Sequence, residues 1–226
     1  EAGDIYLGSG RTRTFDKSYR MAWVGGDPAL SETDGVHIKQ TTLGTGSRAP
    51  TAIAADPDGS IWIGQGGLNS TDDDTGIRRV RPDGIVERIA GDTGAVSATD
   101  NAIALSSLVR PAFLKVGPSG DLYVVDHHGH RVWRITNESP RRIRLVAGTG
   151  NVCYTGACGN GGLATAADLN TPTAITFDPN GNTYIAEADS VTSGRVRRID
   201  PKGVISTLLG SGFVIGALGA GIFLHL

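Results

Sequence analysis

The sequence predicts an all-β protein assembled from repeated four-stranded units. Its 226 residues include 33 Gly, 10 Pro and a single Met, a composition that suits turn-rich β structure better than helices. Pro50, Pro111 and Pro172 each open a similar short apolar segment, with 61 residues from each to the next. A fixed period of this kind is the signature of a repeat architecture, in which each repeat is one supersecondary unit.

The first half of each unit is predicted to be a β-hairpin. Ile53 and Ala55 alternate at period two, as in a half-buried strand, and similar pairs follow the other two prolines. A turn containing Pro-x-Gly then reverses the chain, because Pro fixes φ and Gly accepts a positive φ. The third residue after the Gly of each turn is aromatic: Trp62, Tyr123 and Tyr184.

The second half of each unit adds two more strands. The third strand carries two apolar residues three positions apart, as in the pair Ile77 and Val80. This spacing breaks strict alternation, so we expect a β-bulge in the third strand. A fourth strand follows over residues 86–90, 144–147 and 205–209. Four antiparallel strands per repeat is the composition of a β-propeller blade.

These units predict the division of the chain. We expect a partial first blade and linker over residues 1–43, blade 2 over 44–94, blade 3 over 95–150, blade 4 with a Cys-containing loop over 151–212, and an apolar tail over 213–226. The chain therefore resembles an excerpt of a larger propeller. An incomplete array should expose a sheet edge at residues 204–209, or pair that edge with the tail.

The connections between blades, residues 93–110 and 149–171, are unusually long. Each contains an Ala-rich passage that we expect to form a helical turn. Long surface connections carried by a rigid scaffold are where binding residues concentrate. These two loops are therefore the predicted binding surface.

Charge and hydropathy exclude some classes of partner. The formal net charge is −2 and no long basic run occurs, so nucleic acid is not an expected partner. The tail over 213–226 is shorter than the roughly 20 residues of a membrane-spanning helix. We expect membrane association only through regions outside this chain.

Cys153 and Cys158 lie in a Gly-rich loop with no neighbouring His. A zinc site would need further ligands at set spacing, and the sequence offers none there. A local disulfide in an oxidising compartment is the favoured interpretation, and two reduced thiols are the alternative. A disulfide across so short a loop would stiffen the loop more than it would stabilise the domain.

Other polar groups suggest metal sites but fit simpler roles. His127, His128 and His130 share one turn, where their spacing would not aim all three at one ion, so we expect exposed turn residues. The sequences Asp56-x-Asp58-Gly59 and Asp178-x-Asn180-Gly181 start like calcium loops but lack the later ligands, which favours hairpin turns. Residues 72–74, three consecutive Asp, fit a solvated loop tip. No catalytic residue, metal ligand or cofactor is therefore predicted.

Two further predictions concern the surface. Asn69 begins an Asn-Ser-Thr acceptor sequence for glycosylation in an apparent surface loop. The repeated arginines of the third strands, Arg79, Arg134 and Arg198, are expected to pair with carboxylates such as Asp126 and Glu187.

The repeated elements resemble NHL repeats, which are known as six-bladed propellers. They are Pro-Thr-Ala-Ile, Asp-Pro-x-Gly, Tyr-Ile-Ala/Val-Asp and Arg-Val-x-Arg-Ile. The segments Val146-Ala147-Gly148-Thr149-Gly150 and Gly159-Asn160-Gly161-Gly162, with the two cysteines, are similar to the NHL domain of teneurins and related Rhs/YD-repeat proteins. The resemblance covers about residues 44–212. It implies an extracellular or cell-surface protein whose propeller takes part in adhesion without catalysis.

Two functions are therefore predicted from different classes. The first is a non-catalytic recognition module that binds a protein partner through the loops 93–110 and 149–171. The alternative is a lyase, since propellers similar to NHL domains include lyases that hold a metal in the central channel. Histidines or glutamates from at least two blades, facing that channel, would favour the lyase.

Overall fold

Four consecutive antiparallel sheets form the fold in the computed structural model of the chain. The structure describes residues 5–8, 11–15, 21–25, 33–43, 49–66, 75–91, 95–153, 156–188 and 194–210. Blade 1 is three-stranded, with β1 (Ile5–Gly8), β2 (Arg11–Phe15) and β3 (Met21–Gly25). Blade 2 contains β4 (Pro50–Ala55), β5 (Ile61–Gln65), β6 (Gly76–Val80) and β7 (Val86–Ala90).

Blades 3 and 4 repeat this arrangement. A short parallel pair, β8 (Val96–Ser97) and β9 (Ser107–Leu108), precedes blade 3. Blade 3 contains β10 (Pro111–Val116), β11 (Leu122–Asp126), β12 (Arg131–Ile135) and β13 (Ile143–Ala147), and blade 4 contains β14 (Pro172–Phe177), β15 (Thr183–Glu187), β16 (Arg195–Ile199) and β17 (Ile205–Leu209). The strands of each sheet are ordered as they occur in the chain, and the sheets do not close into a ring. The predicted all-β propeller array is confirmed.

The first two strands of blades 2, 3 and 4 repeat at 61 residues, and strand register, not this spacing, aligns the arginines of the third strands. The aromatic residue of each second strand lies directly opposite one residue of the first strand and one Arg of the third strand. The three sets are Ala54, Trp62 and Arg79; Lys115, Tyr123 and Arg134; and Thr176, Tyr184 and Arg198.

The bulges differ from the prediction in one respect. Ile77 pairs with Ala90 and Arg78 pairs with Arg88, so the extra residue, Ile89, belongs to the fourth strand and not to the third. The same shift recurs in blades 3 and 4. The apolar spacing of the third strand has another cause: Ile77 and Val80 are buried in different clusters, on opposite faces of the sheet. Both faces are covered, so both favour apolar residues.

The hydrophobic core lies between blades. One cluster joins blade 2 to blade 3 through Trp62, Ile77, Leu114 and Ile135, and a second joins blade 3 to blade 4 through residues such as Ile185. The connections enter these clusters, since Ala104, Val109, Ala164, Ala167 and Leu169 are buried within them. Among the described residues, no helix has the length and apolar character needed to cross a membrane.

The predicted exposed edge at residues 204–209 is wrong for the beginning of β17. Ile205 exchanges backbone hydrogen bonds with Gly161 and Gly162, at 2.8 and 2.9 Å, and Ala164 N donates to Gly203 O. Residues 101–104 pair in the same way with β13, and residues 35–38 with β7. Each connection therefore covers the outer edge of the sheet it leads into, which satisfies backbone groups that would otherwise be unpaired.

Candidate functional site: the disulfide loop and its anchors

The loop between blades 3 and 4, residues 148–171, is called the disulfide loop below. Cys153 and Cys158 are disulfide-bonded, with their Cα atoms 5.7 Å apart. Gly148 N and Thr149 N donate to the carbonyls of Ala164 and Ala167, each at 3.0 Å, which folds the start of the loop onto its end. The two accepting residues, Ala164 and Ala167, begin and follow a 3-10 turn over Ala164–Ala166, which matches the turn over Ala104–Ser106 in the preceding connection. Both helical turns were predicted.

Two arginines of β16 hold the disulfide loop against blade 4. Arg195 donates from Nη1 to Cys158 Sγ at 3.0 Å and from Nη2 to Cys153 O at 3.2 Å. Arg197 donates from Nη2 to Cys158 O at 3.1 Å and to Asn160 Oδ1 at 3.0 Å. The loop is therefore fixed by charge-assisted hydrogen bonds on both sides of the disulfide.

Glu187, at the end of β15, pairs with both arginines and offsets one of their two charges. Its carboxylate forms an ion pair with Arg195, lies 3.6 Å from Arg197 Nη1 and accepts from Asn170 N at 3.1 Å. The Arg197 side chain is fully buried, and burial lowers its pKa while the charge of Glu187 acts to raise it. Such a network stabilises one loop geometry, since a buried charge without its partner would be costly.

The position of Arg197 in blade 4 is also occupied by a buried Arg in blade 2. Arg78, equivalent to Arg197, donates to Asp34 at 2.7 Å and to Gln65 Oε1 at 3.1 Å, and Asp34 belongs to the connection before β4. Sequence reasoning missed both arginines and selected their neighbours Arg79 and Arg198. Period two could have found them, because Arg78 and Arg197 share a strand face with the apolar Val80 and Ile199.

The exposed parts of the connections include three large apolar side chains. Leu163 in the disulfide loop is 59% exposed, and Ile103 and Leu105 in the preceding connection are 45% and 39% exposed. Leu163 and Ile103 each precede a 3-10 turn whose first Ala is buried, and Leu105 lies within the second of these turns. The connections therefore combine a fixed inner side with exposed leucine and isoleucine side chains.

The histidine turn differs from the expected exposed turn. His128 is exposed, but His130 Nδ1 accepts from Thr171 N at 3.2 Å and His127 Nδ1 lies 3.2 Å from Pro172 O. These two rings therefore join blade 3 to the start of blade 4. Burial is the main cause that lowers the pKa of His130, followed by the nearby charges of the other two histidines and Arg131.

The aspartates of the hairpin turns serve structural roles. Asp56 Oδ2 accepts from Trp62 Nε1 at 3.0 Å, and Asp178 Oδ2 accepts from the hydroxyl of Tyr184 at 2.9 Å. Asp178 also accepts from the side chain of Asn182 and from the backbone of Asn182 and Asn180, and these hydrogen bonds, the side-chain one most of all, lower its pKa. The hairpin interpretation, in preference to a calcium loop, agrees with these contacts.

Two of the third-strand arginines, Arg79 and Arg134, pair with carboxylates as expected, but their partners are not Asp126 and Glu187. Arg79 pairs with Asp58, and Arg134 lies 3.4 Å from Asp121. Register explains the difference: Arg134 is opposite Tyr123, three residues before Asp126. Arg198 is exposed, and Glu187 pairs with Arg195 and Arg197 instead.

No cluster of three or more potential metal ligands occurs in the part of the chain that the structure describes. A groove between β4 and β10 is lined by Ile53, Ala54, Ala55, Pro57, Leu114, Lys115, Val116 and Gly117, and among these only Lys115 is charged. Asn69, the aspartates 72–74 and the apolar tail lie outside the described residues.

Repeated four-stranded blades, with connections that wedge between them, define the chain as part of a β-propeller. A family model for the teneurin NHL domain matches residues 37–217. The chain belongs to the teneurin NHL domain family. It is 32% identical over 176 residues to teneurin-1 of Gallus gallus, 34% over 172 residues to teneurin-3 of Danio rerio, and 30% over 188 residues to teneurin-m of Drosophila melanogaster.

These alignments cover 72%, 72% and 80% of this chain, but only 6% of each relative. Solved structures of similar fold include a protein of unknown function from Bacteroides thetaiotaomicron (TM-score 0.60, 17% identity, 92% of this chain and 44% of that one). A gluconolactonase from Xanthomonas campestris gives 0.54, with 14% identity and 92% and 58% coverage. A streptogramin B lyase gives 0.50, with 17% identity and 89% and 48% coverage. At such low identity these structures show the fold alone.

Proposed function

We propose that the chain is a non-catalytic, extracellular recognition module that binds a protein partner through its inter-blade connections. Membership of the teneurin NHL domain family supports this. The observation that carries the proposal is the disulfide loop. Its inner side is anchored by Arg195 and Arg197, while Leu163 stays 59% exposed.

A rigid loop with an exposed apolar side chain suits recognition for a physical reason. Binding then costs little conformational entropy, because the loop is already ordered by the disulfide and the buried ion pairs. Apolar side chains on such a loop can fill a pocket of the partner, where they contribute most of the binding energy.

Binding of the purified, labelled protein to an immobilised panel of extracellular protein domains tests this proposal. The variants Leu163→Asp and Leu105→Asp should weaken binding by about tenfold or more if these side chains are binding anchors. Leu208→Asp is the matched control, since Leu208 is an exposed leucine of β17 outside both connections (46% exposed).

A partner that binds all four proteins equally would overturn the loop assignment. Stoichiometric metal in the purified protein, measured by mass spectrometry, together with histidines or glutamates of two blades facing the channel, would favour the lyase over the recognition module.

A further inference from the structure

A row of basic side chains crosses blade 3 near its hairpin turns. Lys115 lies directly opposite Tyr123, Tyr123 opposite Arg134, and Arg134 opposite Arg144. Directly opposite residues of antiparallel strands project from the same face of the sheet. Three basic side chains and the tyrosine among them therefore lie side by side from β10 to β13, and these four residues are called the basic row below.

The charge of the basic row is only partly compensated. Asp121 lies 3.4 Å from Arg134, whereas Lys115 and Arg144 form no ion pair with any residue that the structure describes. Residues 95–150 as a whole hold seven Lys or Arg against four Asp or Glu. This part of the chain therefore carries a local positive charge although the whole chain does not.

Blade 2 shows how the repeat can avoid this charge. There Glu87 occupies the place of Arg144, directly opposite Arg79. Like charges directly opposite in a sheet are destabilising. Blade 2 has one such pair, Arg78 and Arg88, but Asp34 forms ion pairs with both, whereas Asp121 lies near only Arg134 of the Arg134 and Arg144 pair. Positions where a sequence breaks such a rule without local compensation are expected at functional sites.

Two aromatic rings contact each other at the basic row, one within the row and one beside it. Tyr123 is half-buried, and its ring packs edge-on against Phe177 of blade 4, with centroids 4.6 Å apart. Lys115 is exposed, and the side chain of Arg134 is 38% exposed. Tyr and Arg are enriched at binding hot spots, because each combines a large contact area with polar groups that can be satisfied by a partner.

We propose that the basic row binds an acidic segment of a protein partner, in which carboxylates alternate with apolar side chains. Arg134 and Arg144 can each bind a carboxylate through two parallel hydrogen bonds. The row spans three strand spacings, about 14 Å, which fits a few residues of an extended peptide rather than a long polyanion. The rings of Tyr123 and Phe177 provide contacts for the apolar side chains.

This surface is separate from the one in the proposed function. The basic row lies beside the turns at residues 117–121 and 136–142, whereas the disulfide loop leaves β13 from the opposite end of the strand. Loss of one site should therefore leave the other intact.

Fluorescence anisotropy with a synthetic peptide of alternating Glu and Tyr tests the proposal. Replacing Glu by Gln in that peptide gives the matched neutral probe. The protein should bind the Glu peptide at low ionic strength, bind the Gln peptide much more weakly, and lose affinity as salt increases toward about 0.15 M. Arg144→Glu should weaken binding of the Glu peptide by about tenfold or more, because it reverses one of the two Arg charges that would bind carboxylates.

Lys39→Glu is the control variant, since it makes the same change of charge at an exposed residue before blade 2. It should bind the peptide within about twofold of the unmodified protein, as expected for a distant screened charge. Equal loss in both variants, or no binding of the Glu peptide at all, would overturn the proposal. So would a sulfated polysaccharide or duplex DNA that binds more tightly than the peptide and depends on Arg144.

Discussion

The two junctions on either side of blade 3 use one repeat position in different ways. At the Trp62 junction, between blades 2 and 3, Trp62 is 1% exposed, and the guanidinium carbons of Arg79 and Arg141 lie 5.2 and 5.4 Å from its ring centroid. At the Tyr123 junction, between blades 3 and 4, Tyr123 is half-buried and contacts Phe177.

The difference follows from a few substitutions around the ring. Asp56, which accepts from Trp62, is replaced in blade 3 by Gly117, and a Cβ on Gly117 would lie 2.5 Å from the Tyr123 ring. Glu87 is replaced by Arg144. The Trp62 junction is called closed, because its ring is buried and Glu87 lies opposite Arg79. The Tyr123 junction is called open, because its ring is only half-buried and Arg144 lies opposite Arg134. One scaffold position can serve the core in one blade and recognition in the next.

The largest expected effect is at the ring of the closed junction. Trp62→Ala should lower the free energy of unfolding by about 3–5 kcal/mol, because it removes a fully buried aromatic side chain. Tyr123→Ala should cost less, about 2 kcal/mol, since Tyr123 keeps contact with water. Chemical denaturation of both variants measures the difference. Equal losses would contradict the distinction between the two junctions.

The next largest change in stability is expected from the ion pairs of Glu187, beside the open junction. Arg197→Met should cost about 3–5 kcal/mol, because it leaves Glu187 buried without one of its cations. Adding Glu187→Gln should add to that loss, because it leaves the mostly buried Arg195 without its carboxylate partner. Arg198→Met, at the exposed neighbouring position, is the control and should change stability by less than about 0.5 kcal/mol. A double variant more stable than the single one would contradict this account.

The histidine turn should make the Tyr123 junction sensitive to acid. Burial holds the pKa of His130 below its ordinary value of 6.5. In the native state the neutral Nδ1 accepts from Thr171 N. The unfolded chain therefore binds the proton first, and native stability falls as the pH decreases through about 6.5. His130→Asn should reduce this loss, since an amide oxygen can accept without titrating and Asn tolerates the positive φ of 50°.

Thermal unfolding between pH 5 and pH 8 measures the effect. His128→Asn is the comparison, because it keeps the His130 acceptor and removes only one of the smaller causes that lower the pKa of His130. The two variants should differ at acidic pH and converge at pH 8. The same pH dependence in His130→Asn and in the unmodified protein would show that His130 does not control this junction.

The repeat, the strands and the hairpin turns could be predicted from the sequence because each depends on local chemistry. Alternation marks the strands, Pro and Gly mark the turns, and the spacing of 61 residues aligns Trp62, Tyr123 and Tyr184. The disulfide loop was predicted from its two cysteines. Family resemblance then supplied the architecture that local patterns alone leave open.

The anchors of the site could not be predicted in the same way. Arg197 reaches Cys158 O across 39 residues, and Arg78 reaches Asp34 across 44, so neither contact leaves a local pattern. The difference between the expected and observed partners of Arg134 has the same origin. Strand register decides which residues lie near Arg134, and composition does not reveal that register. The pairing of residues 161–164 with β17 also depends on the path of a whole loop.

The substitution with the smallest expected effect on stability would make the open junction resemble the closed one. Arg144→Glu places a carboxylate opposite Arg134, as Glu87 is opposite Arg79 in blade 2. It should raise the free energy of unfolding by about 0.5 kcal/mol, since a repulsive cross-strand pair becomes attractive. The gain should shrink with added salt, because both side chains contact water. Denaturation at low and high ionic strength measures it, with Lys39→Glu as the control for net charge. A variant less stable than the unmodified protein would show that Arg144 supports the fold, whereas a more stable variant that no longer binds the acidic peptide would separate binding from stability.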